Sequence, residues 1–146
     1  VGRERARGFT DAMAEAGISV GPSSIIEVGF DESHAEEVAA ELLKRPDPPT
    51  AILARHDITA RGVMRAVLKA GLRVPEDISI VGNGNIPGSD MFRVPLTTVN
   101  FPGPQMAKLS VQKLLDLLDG KDVPSDVTVF GVEFVERSSA APPRKS

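Results

Sequence analysis

Short apolar segments alternate with amphipathic helical patterns through the first half of the chain. Ala51 to Ala54 and Ile78 to Gly82 are short, largely apolar runs, as expected for strands buried on both faces of a parallel sheet. Ile58 to Ala70, between them, has the apolar spacing of an amphipathic helix. Parallel strands connected through a helix form right-handed βαβ units. The alternation therefore predicts an α/β fold, a parallel sheet flanked by helices.

The same reading extends along the chain. Gly17 is a helix stop, Pro46 forbids helix continuation, and Asp57 is placed to cap the helix that follows it. We predict further helices over Arg3–Ala16, Ser33–Arg45 and Gly103–Asp119, and further strands over Ser24–Gly29, Leu96–Val99, Val127–Phe130 and Val132–Val135. Asn83 to Pro95 is predicted to be a polar loop, and Ser138 to Ser146 a loose tail.

Composition narrows the classes of function. The formal net charge is −3, from 17 basic and 20 acidic residues, whereas a domain that binds a phosphate backbone alone is usually basic. With no cysteine and two histidines, we predict neither a disulfide nor a metal site, and no cofactor. No apolar run is long enough to span a membrane. The chain starts without Met and without a signal-like segment, so we expect a piece of a longer cytoplasmic protein.

Four ordered motifs carry a resemblance to a known family. Arg5-Ala6-Arg7-Gly8-Phe9 opens the chain, and Pro49 to Leu53 leads through Asp57 into Ala60-Arg61-Gly62. Gly71-Leu72-Arg73-Val74-Pro75-Glu76-Asp77-Ile78-Ser79-Ile80-Val81-Gly82 follows, and Pro95 to Val99 and Val135 to Ser139 complete the order. Over essentially its whole length, the chain resembles the lactose-repressor family of bacterial transcription regulators.

The resemblance implies a division of the chain. Family members join a DNA-binding headpiece to a core of two α/β subdomains, with a small effector bound between them. Residues 1–96 would form the C-terminal subdomain without its first strand, and residues 97–131 would belong to the N-terminal subdomain. Residues 132–137 would be the strand that returns from it, and residues 138–146 would be a flexible tail. The helix Gly103 to Asp119 would then lack its partner surface, so a rearranged packing or an exchange with a second copy is a hypothesis.

The resemblance also implies a ligand site beyond the carboxyl ends of the strands. Arg5 matches an arginine that reaches the ligand, and Phe30 matches an aromatic that stacks on it. His56 and Asp57 occupy the positions of the family's Asn-Asp pair. For each residue a structural role is an open alternative: a solvated arginine, core packing, an idle strand-end histidine, or a helix cap.

The loop after Ile80-Val81-Gly82 departs from the family pattern. Members usually have an aromatic residue and then an Asp that accepts hydrogen bonds from sugar hydroxyls. This chain has Asn83 and Gly84 there, followed by Asn85, and the resemblance makes these three residues candidate ligand contacts. Loss of that acceptor disfavours an ordinary neutral hexose. Because Arg5 and His56 are present and that carboxylate is absent, a sugar phosphate or a small acid is a candidate effector alongside neutral sugars.

The resemblance and the motifs also bear on binding partners and on other classes of function. The resemblance implies a homodimer in which Met64, Val67, Met91 and Phe92 lie at the interface, with burial inside one chain as the alternative, and DNA contact only through the absent headpiece. An enzyme is disfavoured because Gly82-Asn83-Gly84 has no correctly spaced third glycine, and no nucleophile motif is present. The solute-binding protein of a sugar transporter has the same fold and is the alternative function.

Overall fold

The computed structural model describes residues 2–142. These residues form four α-helices, four short strands and two single 3₁₀ turns. In chain order the elements are α1 (Gly2–Glu15), a 3₁₀ turn (Pro22–Ser24), α2 (Glu32–Leu43), β1 (Ala51–Leu53), α3 (Asp57–Lys69), β2 (Ser79–Val81), a 3₁₀ turn (Ser89–Met91), β3 (Thr98–Asn100), α4 (Gly103–Leu118) and β4 (Glu133–Val135).

The strands form two small ladders. β1 and β2 pair in parallel, with Ala51 opposite Ser79 and Leu53 opposite Val81, and a parallel bridge from Val81 to Thr97 extends this ladder. β3 and β4 pair antiparallel. The predicted α/β fold with a parallel sheet and flanking helices is confirmed, and α3 supplies the crossover between β1 and β2.

The core lies between α2, α3 and the parallel strands. α3 contributes five of the twelve buried apolar residues in the described part of the chain, including Val67, and Ile80 and Leu96 are fully buried against it. α2 approaches α3 closely at Gly62, where an added Cβ would lie 2.2 Å from the carbonyl oxygen of Glu32. Small residues at this crossing let the two helix backbones meet.

Two predicted strands are absent from the described residues. The segment 24–29 has only the 3₁₀ turn at its start, and 127–130 has no regular structure. Ile25 and Ile26 are exposed, as are Val127 and Val129, which are 87% and 86% exposed. An isolated extended segment leaves its backbone groups without strand partners, so apolar alternation alone does not make it a strand.

The end of the described chain is not a loose tail. Ser139 is fully buried; its hydroxyl donates to the carbonyl of Ile80 at 2.6 Å and accepts from the Thr97 amide at 2.8 Å. The Ile80 amide in turn donates to the Ser139 carbonyl at 2.7 Å. The prediction of a flexible segment from 138 is therefore wrong at Ser139, because these bonds hold the chain beside β2; residues 143–146 lie outside the described part.

Helices α1 and α4 have no buried residues. The stripe on α4 that the sequence predicted to need a partner is exposed, with Leu114 at 55% and Leu118 at 74%, so no rearranged packing covers it within residues 2–142. No helix in this part of the chain combines the length and apolarity that crossing a membrane demands.

Candidate functional site

The carboxyl ends of β1 and β2 define one edge of the parallel ladder. Because the strands run in the same direction, the loops after Leu53 and Val81 emerge side by side. The backbone joins them directly, since the Asp57 amide donates to the Asn83 carbonyl at 3.2 Å. Arg5 of α1 also reaches this edge, where its Nη1 donates to the Arg55 carbonyl at 3.2 Å.

Asp57 lies beneath this edge and has no exposed surface. Its Oδ2 accepts from the Ile86 amide at 2.8 Å, and its Oδ1 accepts from the Thr98 hydroxyl at 2.6 Å. The carboxylate thereby joins α3, the loop after β2 and the start of β3. Asp57 is not the predicted helix cap, because His56 holds the N-cap position of α3. Its buried side chain is also not open to a ligand, so Asp57 is not a ligand contact.

The loop after β2 is shaped around that carboxylate. An added Cβ on Gly82 would lie 2.2 Å from Asp57 Oδ1, so no larger residue fits. Gly84 has a φ of 131°, and Asn85 a φ of 47°, backbone conformations that glycine and asparagine tolerate best. Gly84 therefore belongs to the backbone of the site and supplies no side chain to it.

Arg137 fixes the far side of the same loop. Its Nη2 donates to Asn85 Oδ1 at 2.7 Å, and its Nη1 donates to the Leu96 carbonyl at 2.7 Å and to the Ser89 hydroxyl at 3.3 Å. The Asn85 side-chain oxygen, predicted to face a ligand, is thus bonded within the chain. Asn85 and Arg137 shape the loop.

Phe30 and His56, two of the predicted ligand contacts, lie together at the edge. Their rings stack with centroids 4.0 Å apart and an interplanar angle of 20°. Phe30 is 63% exposed, so it is not an ordinary core residue. The Arg55 guanidinium lies over the Phe30 ring at 5.6 Å, which places an additional cationic group beside the stacked pair.

Two polar atoms at the edge are buried without a hydrogen-bond partner, His56 Nε2 and Asn83 Oδ1. Buried polar atoms of this kind are rare in folded proteins and suit a missing partner such as a ligand or water. Burial lowers the pKa of His56 below its ordinary value, the positive charges of Arg5 and Arg55 lower it further, and Asp57 opposes them. His56 is therefore neutral at pH 7.

Sequence reasoning missed four residues that organise this region: Arg55, Phe101, Arg137 and Ser139. Phe101 follows β3 and lies beneath the Arg5 guanidinium, 5.5 Å from it. Arg55 directly precedes the predicted His56-Asp57 pair, so its position after β1 was a usable signal. Arg137 and Ser139 lay within a quoted motif, but their contacts are with residues at least 40 positions away in sequence, which no local pattern reveals.

The predicted interface residues divide into two groups. Val67 is fully buried and Met64 is 2% exposed, so the alternative of burial within the chain holds for both. Met91 is 81% exposed, and Phe92 is partly buried. Phe92 and Leu68 line an open apolar groove of about 370 Å³ on the outer side of α3.

Known proteins share both this fold and this sequence. The family model of a periplasmic binding protein-like domain matches residues 1–140, so the chain belongs to that family. It is 38% identical over 137 residues to the HTH-type transcriptional repressor PurR of Photobacterium profundum, which covers 94% of this chain and 41% of that protein. Within the family, these relatives identify the chain as a C-terminal effector-binding region of the LacI type.

Solved structures agree with this assignment. The transcriptional regulator LacI from Bacillus cereus subsp. cytotoxis superimposes with a TM-score of 0.91 and 27% identity, over 97% of this chain and 50% of that one. A LacI family regulator from Lactobacillus casei with bound sucrose gives a TM-score of 0.83 and 25% identity, over 95% and 51%. The chain thus spans about half of these structures, and the predicted family resemblance is confirmed.

Proposed function

We propose that this chain senses a small sugar-like or anionic metabolite on behalf of a bacterial transcription regulator. The observation that carries the proposal is the edge formed by the β1 and β2 loops, where His56 Nε2 and Asn83 Oδ1 are buried and unpaired. The sucrose bound in the Lactobacillus casei relative supports a small-molecule ligand. DNA contact belongs to a separate headpiece, and the regulator acts in the cytoplasm.

The hydrogen bonds of Asp57 suggest how binding is transmitted. A ligand that forms a hydrogen bond with Asn83 contacts the loop after β2, in which the Ile86 amide donates to Asp57. Asp57 also accepts a hydrogen bond from the Thr98 hydroxyl at the start of β3. We propose that β3 and β4 connect two subdomains, so ligand binding favours one relative orientation of them. That orientation then sets the spacing of two headpieces on DNA, the two-site, two-state arrangement that allostery requires.

The test uses the complete gene product. Melting temperature is measured with neutral sugars, sugar phosphates and small organic acids, because a ligand that binds only the native state raises it. Binding to DNA from the gene's own upstream region is then followed by fluorescence anisotropy with each stabilising compound. A compound that stabilises the protein and changes its DNA affinity supports the proposal. DNA binding that no stabilising compound alters contradicts it.

The alternative, a solute-binding protein of a sugar transporter, makes the opposite forecast. Such a protein would bind the ligand without binding DNA at all. The repressor relatives favour the regulator, and so we keep binding to DNA as the discriminating measurement.

We further propose a homodimer through the apolar groove on α3 and the loop that carries Met91 and Phe92. Met91 is exposed beside an open apolar surface, the kind of surface that interfaces cover. Met91→Lys together with Phe92→Lys should shift the complete protein toward monomer in light scattering. Asp47→Lys, in the exposed loop between α2 and β1, is the control. An unchanged mass in the Met91 and Phe92 variant would contradict this interface.

A further inference from the structure

The cations at the candidate site have no carboxylate partners. Among residues 2–142, no carboxylate lies within ion-pairing distance of the Arg5 or Arg55 guanidinium, although the chain carries more acidic than basic residues. By contrast, Arg7 of the same helix is paired with Glu4 and Asp11, and Arg61 is paired with Glu32. The Arg5 and Arg55 guanidinium groups are thus left without a carboxylate partner at this edge of the sheet.

The acid closest in sequence to this edge is withdrawn from it. Both oxygens of the Asp57 carboxylate are bonded within the chain, and its side chain has no exposed surface. Gly84 supplies no carboxylate either. The groups that remain for a ligand are therefore guanidinium donors, the neutral imidazole of His56 and the amide of Asn83.

The two guanidinium groups are oriented with most of their donors unused. The Arg5 guanidinium lies over Phe101 and the Arg55 guanidinium over Phe30, at 5.5 and 5.6 Å. A ring contact of this kind holds a guanidinium by its face and leaves the in-plane N–H donors available. Arg5 spends one donor on the Arg55 carbonyl, which ties the two residues side by side.

We propose that the effector carries a carboxylate or phosphate group that binds between Arg5 and Arg55, and that Arg55 selects for this charge. The inference rests on the proposed ligand-binding function of the same site and narrows its ligand class. Guanidinium groups bind carboxylate and phosphate through paired hydrogen bonds.

The experiment compares compounds that differ in charge. The melting temperature and binding isotherm of the complete protein are measured at constant ionic strength with inorganic phosphate, glucose 6-phosphate, gluconate and neutral glucose. The variants are Arg55→Gln, Arg5→Gln and, as the matched control, Arg7→Gln, which removes an exposed cation from the same helix as Arg5. We expect the anions to stabilise the wild-type protein, and Arg55→Gln to weaken that binding about tenfold or more.

Two results would overturn the inference. One is binding of glucose with an affinity that Arg55→Gln leaves unchanged, which would leave the sensing function standing and refute an anionic ligand. The other is the absence of Arg55-dependent stabilisation by every anion in the panel, inorganic phosphate included. Arg55-dependent anion binding without any effect on DNA affinity would support the inference and contradict the proposed regulatory function instead.

Discussion

At the scale of single residues, Asp57 connects three separate segments of the chain at the sheet edge. It begins α3, and its two oxygens hold the Ile86 amide and the Thr98 hydroxyl. Only glycine fits at position 82, because the Asp57 carboxylate lies where the Cβ of a larger residue would be. The sequence paired Asp57 with His56 as ligand contacts, and the structure separates them, one buried inside and one facing the site.

Substitution of Asp57 should destabilise the protein. Asp57→Ala leaves a buried amide and a buried hydroxyl without an acceptor, which costs about 2–4 kcal/mol in the free energy of unfolding. Asp57→Asn keeps the shape and one acceptor and should cost less. Urea denaturation measures both. Asp90→Ala, at an exposed position, is the control, and an Asp57→Ala midpoint equal to that control would contradict the bonded role.

The lowered pKa of His56 makes stability depend on pH. Because this pKa is higher in the unfolded chain than in the folded one, the unfolded chain binds the proton more readily as the pH falls. The stability that the unprotonated His56 contributes is fully present above about pH 6.5, the ordinary pKa of histidine. It is lost progressively as the pH falls below that value. We expect His56→Gln to flatten the melting temperature between about pH 7 and 5. His34→Gln, at an exposed position, should leave the slope unchanged.

At the scale of elements, the contact of α2 with α3 is the best-defined packing in the chain. Ala35 and Ala39 of α2 are buried against α3, and Gly62 lets the backbones touch. At the rim, Glu32 pairs with Arg61 and with Arg65, and these hydrogen bonds and charges hold the pKa of Glu32 below its ordinary value. The rim is exposed on the arginine side, so we assign most of the stability to the small buried residues.

Gly62→Ala tests that contact. The new methyl group would lie 2.2 Å from a backbone oxygen of α2, and backbone atoms cannot rotate away as a side chain can. We expect a loss of about 3 kcal/mol in the free energy of unfolding. Gly8→Ala in α1 is the matched control, since nothing lies within 4 Å of that position, and it should be neutral or stabilising because alanine favours helix. Equal effects would contradict the close approach.

At the scale of the whole molecule, the apolar surface of α4 has no cover within the described residues. Leu114, Leu115 and Leu118 are exposed on one helix, and Val127 and Phe134 add further exposed apolar surface. An uncovered leucine stripe on one helix face favours association. The relatives are more than twice as long as this chain, which fits the expectation that another part of a regulator packs here.

The 146-residue chain on its own should therefore self-associate. We expect its mass in light scattering to rise with concentration, and Leu114→Glu with Leu118→Glu to suppress that rise by placing charges in the stripe. Gln105→Glu with Gln112→Glu is the control, since it adds the same two negative charges at exposed polar positions of the same helix. A concentration-independent monomer before mutation would show that the exposed leucines are not an association surface.

Much of the fold and part of the site were predictable from sequence because they depend on local signals. The apolar runs of β1 and β2, the amphipathic repeat of α3 and the glycine and proline stops act over a few residues and set the α/β class. His56 follows a strand that a local pattern locates, whereas the strand predicted before Phe30 is absent and only the family resemblance placed Phe30 at the site. The family motifs, matched in order, added the likeness to LacI-type regulators that the relatives confirm.

What only the tertiary structure decided was which polar groups are already satisfied. Asp57, Asn85 and Ser139 bind partners from 29 to 59 positions away in sequence, and the segments at 24–29 and 127–130 lack a neighbouring strand. Long-range hydrogen bonds and strand pairs need two partners that the whole fold brings together. A helix or a buried strand, in contrast, can be predicted from the pattern of its own side chains. For that reason the sequence by itself determined the class of protein and predicted the edge where we propose that a ligand binds, and the packed chain determined which side chains at that edge are not already bonded within the chain.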